Sequence, residues 1–521
     1  VSALLGIDLG TEGARVAVFT ADGTVLGTGR QGYATTFPRP GWAEQDPEEW
    51  WRAVVAATRA ALAEAGGPPV SGAAVATTAS TVVVLDGDGR PLRPAILWMD
   101  GRAGAESDLT AATGHDVLRY SGGSDAVEWL VPKAMWLARN EPDTYNRADR
   151  IVEAVDYITW RLTGTWTASR MNACCKSNHD PRGAGYPSDL YARLGIPDLA
   201  AKLPPEVLPV GAVAGEVTGP VRDELGLRGR PQVAVGGIDA HLSLLATGGL
   251  AEGRLSVVCG TSNAFVAEIA SPVYTPAIWG PYPDALRDGF WLVEGGQVSA
   301  GSVLRWVSEH LLGLSRDRLP ELWEEAARVE PVEHGLIVLD YFMGNRTPLR
   351  DPGLRGAVLG LTLGTTPAQL YRAAVEGVAY GTRQVLDSFL DAGVPVEEIY
   401  VSGGIRHNPL WLQTTADVLG RPLRLVGRAA PSRKAGEPEA AEPGAGDNLT
   451  LRACAVIAAT ATGAHADLAT AAAAFTPVTT LVEPSARPAY DDGYALYRQA
   501  TEATREVAHR LSRPRGEPRE R

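Results

Sequence analysis

The feature that most limits what this chain can fold into is a short design written twice. Leu4 to Asp8 is a hydrophobic run ending in an acid, followed by Gly10-Thr11, a second run from Arg15 to Thr20 and a turn at Ala21-Asp22-Gly23-Thr24. Leu255 to Val258 is another apolar run, followed by Gly260-Thr261 and then Ala264 to Ala270. Each reads as a strand, a tight glycine-containing bend and a second strand. Two such hairpins about 250 residues apart predict two homologous halves rather than one continuous domain. With 521 residues, each half can bury its own core without disulfides or metals, and a cleft can lie between them.

The rest of each half mixes helical and strand periods. Pro47 to Ala65 is amphipathic behind an Asp46 N-cap signal, Val70 to Leu85 is strand-like, and Ile151 to Leu162 reads as a helix ending before Gly164. Thr366-Pro367 opens a long helix running to about Ala392, with Thr366 as N-cap. Ile399 to Ser402 is a strand, and the segment from Gly403-Gly404 to Asn408-Pro409 turns into a further helix. This alternation predicts an α/β fold. The boundaries fall at 1–245, 246–485, a final helix within 486–511 and a charged tail at 512–521, which is expected to be disordered. Ala, Pro, Glu and Gly dominate the stretch between Gly427 and Asn448, which reads as an exposed loop.

Charge and composition narrow the function. The net charge is −13, and only the arginine-rich end from Ser512 to Arg521 is basic, so the footprint of a nucleic-acid binder is missing. Cys174, Cys175, Cys259 and Cys454 have no metal-ligand spacing, which points to a reduced, cytoplasmic compartment. The Ala-rich stretch from Ala453 to Ala474 is broken by Gly463, His465 and Asp467, so no membrane span is expected. Lysine is confined to Lys133, Lys176, Lys202 and Lys434. Genome composition is one explanation of that scarcity; the other is that ammonium is a compact point donor where guanidinium is a planar fork, which singles out Lys176 beside a pocket.

Three constellations carry chemistry. A Gly-Thr bend lets backbone N–H groups and a hydroxyl approach phosphate oxygens, and two facing bends would clamp one polyphosphate; an ordinary hairpin turn explains either bend alone. Asp8 suits Mg²⁺ held through water, or the capping of its own turn. In Val233-Ala234-Val235-Gly236-Gly237-Ile238-Asp239-Ala240-His241, a strand runs through two glycines into an acid at the mouth of a helix. An attacking alcohol needs a carboxylate to take its proton, and Asp239 suits that task; a helix N-cap is the other reading. His241 reads as a packing residue behind it. Gly403-Gly404 with Asn408 would let an adenine ring lie against backbone, or would form a simple strand-to-helix turn.

Taken together these residues resemble the FGGY carbohydrate kinases of the actin, hexokinase and heat-shock ATPase superfamily, from Gly6 to about Gly463. The resemblance rests on Gly356-Ala357-Val358-Leu359-Gly360-Leu361, Gln369-Leu370 and Ala373-Ala374-Val375-Glu376, with Trp98-Met99-Asp100-Gly101-Arg102 in the expected order. Four segments look like the ribulokinase branch: Glu128 to Lys133, Glu153 to Tyr157, Glu294 to Gln297, and Gly344 to Pro348. The resemblance implies two ribonuclease-H-like domains flanking a catalytic cleft, with sugar mostly on the first, ATP on the second, and closure before transfer. It implies that Ala79, Lys176, Asp239 and Glu294 contact the sugar and that Asp8 holds Mg²⁺. It assigns ATP to Gly10, Thr11, Arg15, Gly260, Thr261, Gln297, Gly403, Gly404 and Asn408.

The expected reaction is ATP-dependent phosphorylation of a terminal hydroxyl of a ketopentose, giving a sugar 5-phosphate and ADP. Xylulose, a tetrose such as erythrulose and a sugar alcohol are the alternative acceptors. A non-catalytic sugar- or nucleotide-binding regulator is the alternative of another class. The expected partners are a small sugar and ATP, with a homodimer as the family-level assembly. Arg346 reads as a structural ion-pair residue or a phosphate contact. Ala134 after Lys133 breaks the family's first signature, and Arg452 stands where a small residue is common. The segment from Ala429 to Asp447 lies where family members pass more directly into a helix.

Overall fold

The computed structural model describes residues 2–248, 250–427, 448–486 and 488–512; the loop expected at 429–447 and the tail beyond Ser512 lie outside them. Both expected hairpins form. In the first half β1 (Ala3–Leu9), β2 (Gly13–Phe19) and β3 (Val25–Gly32) make an antiparallel meander. On the other side of β1 lies β4 (Val70–Thr77), parallel to it. Beyond β4 come β5 (Val213–Glu216) and β6 (Gln232–Ile238), with β6 parallel to β4 and β5 antiparallel at the edge.

The second half repeats this plan. Its strands are β7 (Arg254–Cys259), β8 (Asn263–Ile269), β9 (Trp279–Pro283) and β10 (Trp291–Gln297), followed by β11 (Glu398–Gly403), β12 (Leu423–Val426) and β13 (Thr479–Val482). Strands β7, β8 and β10 are the meander, β11 and β12 the parallel pair, and β13 the antiparallel edge. Strand β9 is an addition outside β10. Both hairpin bends therefore sit at the same end of equivalent strands.

Helices cover the sheets where the sequence periods predict them. α1 (Pro47–Glu64) starts at Asp46, whose carboxylate accepts from the Glu48 amide at 2.9 Å, and packs on β2 and β3. One expectation needs correction: Ile151 does not begin a helix. Arg150–Glu153 is a strand paired with Val82–Leu85, because the β-branched Ile151 and Val152 find partners far away in sequence. The same pairing draws the end of the strand-like stretch from Val70 to Leu85 into a separate sheet, so that Thr78 to Thr81 becomes a bend. Between these elements and β5 run α2 (Leu130–Asn140), α3 (Ala154–Thr163) and α4 (Arg170–Lys176). The short α5 (Asp239–Leu242) follows β6 directly.

In the second half α6 (Pro367–Asp391) is opened by a capping box, in which Thr366 and Gln369 satisfy each other's backbone amides. α7 (Pro409–Leu419) follows β11 after one tight turn. α8 (Leu449–Ala461) then crosses back to the first sheet. Its Leu451, Cys454, Ala455 and Ile457 pack against Leu4, Ala74, Ala76 and Ala234 of β1, β4 and β6. Leu451 and Ile457 are fully buried, a burial that stabilises by roughly 1.5–3 kcal/mol for each such side chain. α9 (Ala489–Ser512) is the expected final helix and packs by Tyr490, Tyr494 and Tyr497 against Tyr341 and Tyr380. No helix among the described residues is long and apolar enough to cross a membrane.

Candidate active site

The two hairpin bends and the β6–α5 junction meet at one cavity of ≈ 260 Å³, walled by both halves. Thr11, Ala79, Lys176, Asp239, Gly260, Thr261, Glu294 and Gln297 all line it. Residues more than two hundred positions apart are thus brought together by the duplicated sheet plan.

Asp239 is delivered by a strand that needs its glycines. A Cβ on Gly236 would come within 1.7 Å of the Val75 carbonyl oxygen, so β6 lies this close to β4 only without one. Ile238, not Asp239, is the N-cap of α5, and it makes no side-chain cap bond. The Asp239 carboxylate accepts from the Ala240 amide at 2.7 Å. Burial, and next the negative charge of Asp8, push its pKa up to about 7.

Asp8 lies opposite Arg15 in the β1–β2 register, and the guanidinium donates to its carboxylate at 3.0 Å. Burial nonetheless raises the Asp8 pKa, against the pull of Arg15 and Asn448. Thr11 is fixed at the first bend: the Trp98 indole N–H donates to its hydroxyl at 3.0 Å and the Gln45 amide to its carbonyl at 2.7 Å. Gly10 accepts through its carbonyl from the Tyr33 hydroxyl. At the second bend the carbonyls of Gly260 and Thr261 accept from the amides of Gly301, Ala300 and Ser302.

Across the cavity Lys176, at the end of α4, donates to Glu294 on β10 at 2.9 Å and stands 4.7 Å from the centre of a Trp129 ring. Glu294 also accepts from the Tyr282 hydroxyl at 2.8 Å, and its other oxygen lies 2.5 Å from His241 Nε2. Burial would raise this carboxylate, but Lys176 and His241 hold it well below the ordinary range. Arg346 also borders the cavity and is ion-paired to Glu128 at 2.6 Å, joining one half to the other.

Gly403, Gly404 and Asn408 do not line this cavity. They stand one strand away, where Gly403 is the register partner of Cys259 at the end of β7. Gly403 has φ 86°, and a Cβ there would meet the Cys259 carbonyl oxygen at 2.5 Å. The Asn408 side chain caps α7 by accepting from the Trp411 amide at 3.1 Å and donates to Tyr371 at 3.0 Å. The Gln297 amide is likewise committed inward. It donates to Asp340 and the Val378 carbonyl and accepts from Asn263 and Thr382.

Sequence reasoning passed over Trp98, Trp129 and Tyr282 as site residues. Trp98 and Trp129 each stand in a quoted motif, a usable signal; Tyr282 gains its place only where β9 pairs with β10 and its hydroxyl reaches Glu294.

Comparison with known proteins bears on this arrangement. The sequence model described as the FGGY family of carbohydrate kinases, N-terminal domain, matches residues 3–246, and that of the C-terminal domain matches residues 255–433. The chain belongs to the FGGY family of carbohydrate kinases. An FGGY carbohydrate kinase domain-containing protein of Xenopus laevis is 30% identical over 469 residues, spanning 81% of this chain and 85% of that one. A ribulokinase of Mycolicibacterium smegmatis is 35% identical over 354 residues, spanning 65% of this chain and 62% of that one. A solved xylulose kinase from Rhodospirillum rubrum superposes with a TM-score of 0.82 at 26% identity, covering 97% of this chain and 100% of the other. Membership of the FGGY family makes this protein a sugar phosphotransferase with the two-domain actin and hexokinase architecture, and ATP is the family's phosphoryl donor.

Proposed function

We propose that this FGGY kinase phosphorylates the terminal hydroxyl of a ketopentose, in the manner of a ribulokinase, with Asp239 as the base. The observation that carries this reading is the opposition within one cavity of a carboxylate with pKa about 7 and a Lys176–Glu294 pair. A base is most useful when its pKa lies near working pH, and Asp239 sits there. It accepts the proton of the hydroxyl as that oxygen attacks the γ-phosphorus in line. Lys176 donates to, and Glu294 accepts from, the neighbouring sugar hydroxyls, while the backbone around Ala79 closes the same wall. A site built to pair hydroxyls rejects an epimer that leaves one of its buried groups unpaired.

Thr11 and the Gly260-Thr261 bend lie on the phosphate side and position the donor. Among the described residues no group of three His, Cys, Asp or Glu side chains could hold a metal alone. Asp8 fits Mg²⁺ all the same, because that ion takes one carboxylate and fills its shell with phosphate oxygens and water. Mg²⁺ would supply neutralisation of phosphate charge, and Asp8, held by Arg15 and Asn448, would orient it.

Likeness to ribulokinases at 35% identity supports ribulose as the acceptor, and likeness to solved xylulose kinases supports xylulose as the second reading. A coupled ADP-release assay with Mg-ATP across both enantiomers of ribulose and xylulose, erythrulose and glycerol decides between them. A strong preference for one ribulose is expected. Preference for a xylulose moves the assignment to the second reading, and turnover confined to glycerol overturns the ketose class.

A further inference from the structure

Two of the four ribulokinase-like segments each send one buried charged side chain, Lys133 and Glu153, to the same serine behind the sugar wall. Lys133 of α2 is 0% exposed, Ser80 0% and Glu153 2%. Lys133 Nζ donates to the Ser80 carbonyl at 2.6 Å and to the Leu97 carbonyl at 2.7 Å. The Ser80 hydroxyl donates to Glu153, whose other oxygen accepts from Asn172 Nδ2 at 3.4 Å. Ser80 follows Ala79, Leu97 precedes Trp98, and Asn172 lies on α4, the helix that ends in Lys176. The cluster therefore stands directly behind three cavity-lining residues carried by three separate segments.

We propose that Lys133 and Glu153 are positioning residues that set the sugar face of the cavity by fixing the Ala79 main chain, Trp98 and α4 relative to one another. The inference rests on the reading of this cavity as the sugar site. Its physical basis is that fold stability alone does not call for charges here, since a buried charged pair is often no more stabilising than apolar side chains of similar volume. An apolar chain would fill the space, but it could not tie carbonyls of two separate segments together. An ammonium does so with two of its three donors. Burial pushes the Lys133 pKa down and the Glu153 pKa up, each partly opposed by the other's charge or by Ser80. The cluster is therefore sensitive to the loss of either member, and its neutral double replacement is the fair comparison.

The test is a set of three variants with sugar and ATP varied separately, using whichever of ribulose, xylulose, erythrulose or glycerol turns over fastest. In Lys133→Met/Glu153→Gln the sugar KM is expected to rise about 10-fold or more, because displacements of about 1 Å in a positioned site cost up to about 100-fold. The ATP KM should stay within about twofold and the thermal midpoint within a few degrees, which separates positioning from general damage. A folded double variant with an unchanged sugar KM overturns the proposal. Should the double variant not fold, Ser80→Ala decides, since it removes only the hydroxyl: a raised sugar KM with unchanged ATP KM supports the proposal, and no change overturns it. Lys176→Met is run beside them. If it leaves the sugar KM unaltered, the sugar site lies elsewhere and both readings fall; if it raises the sugar KM while the other variants do not, only the positioning role falls.

Discussion

At the scale of single residues the chemistry turns on how Asp239 is made a base. Its pKa of about 7 predicts that kcat/KM for the sugar falls about tenfold per pH unit below that value and levels off above it. A pH–rate profile with its acid limb near 4 would remove Asp239 from that role. Asp239→Asn should lower kcat by about 10²–10⁴-fold while retaining sugar binding by calorimetry. The same substitution should affect folding in the opposite sense. The folded-state pKa lies above that of an unfolded Asp, so the ionised carboxylate destabilises the fold, by an amount that grows from about pH 4 and is complete above about pH 7. Asp239→Asn should therefore raise the stability of the ligand-free protein by about 1 kcal/mol or more at pH 8 and leave it unchanged near pH 4, as read by thermal melts.

At the scale of elements Asn408 gives the sharpest prediction. Its side chain caps α7 and holds Tyr371, so Asn408→Ala should cost about 1–2 kcal/mol in denaturant unfolding. The ATP KM tests the nucleotide reading separately: a large rise at unchanged stability supports it, and an unchanged ATP KM removes it. Local signals made much of the fold legible. Asp46 and Thr366 announced the starts of α1 and α6, and the Gly-Thr bends announced both hairpins, because caps and tight turns are decided within a few residues. Arg150–Glu153 was not legible as a strand, since its partner Val82–Leu85 lies far away in sequence. For the same reason the site was legible only in part. Asp8, Thr11, Asp239, Gly260 and Thr261 stood in local patterns, whereas the grip of Tyr282 and His241 on Glu294 depends on strands that meet only in the folded chain.

At the scale of the whole molecule the halves are tied along the sugar side. Arg350 donates to the Ser121, Gly122 and Ile278 carbonyls and to the Ser124 hydroxyl, beside the Glu128–Arg346 ion pair. Arg350→Met should loosen that edge, and hydrogen exchange of the amides at 121–124 should quicken by about tenfold with little change in the protected sheets. Uniform quickening throughout would instead mean that Arg350 holds up global stability. The crossing of α8 back to β1, β4 and β6 matters during synthesis too. The first strand leaves the ribosome some 450 residues before its cover is complete, which at ~5–20 residues per second is roughly 20–90 s. Leu4 waits longest for that cover, Ala74 and Ala76 somewhat less and Ala234 about half as long, so the first half is the stretch on which a holding chaperone would act.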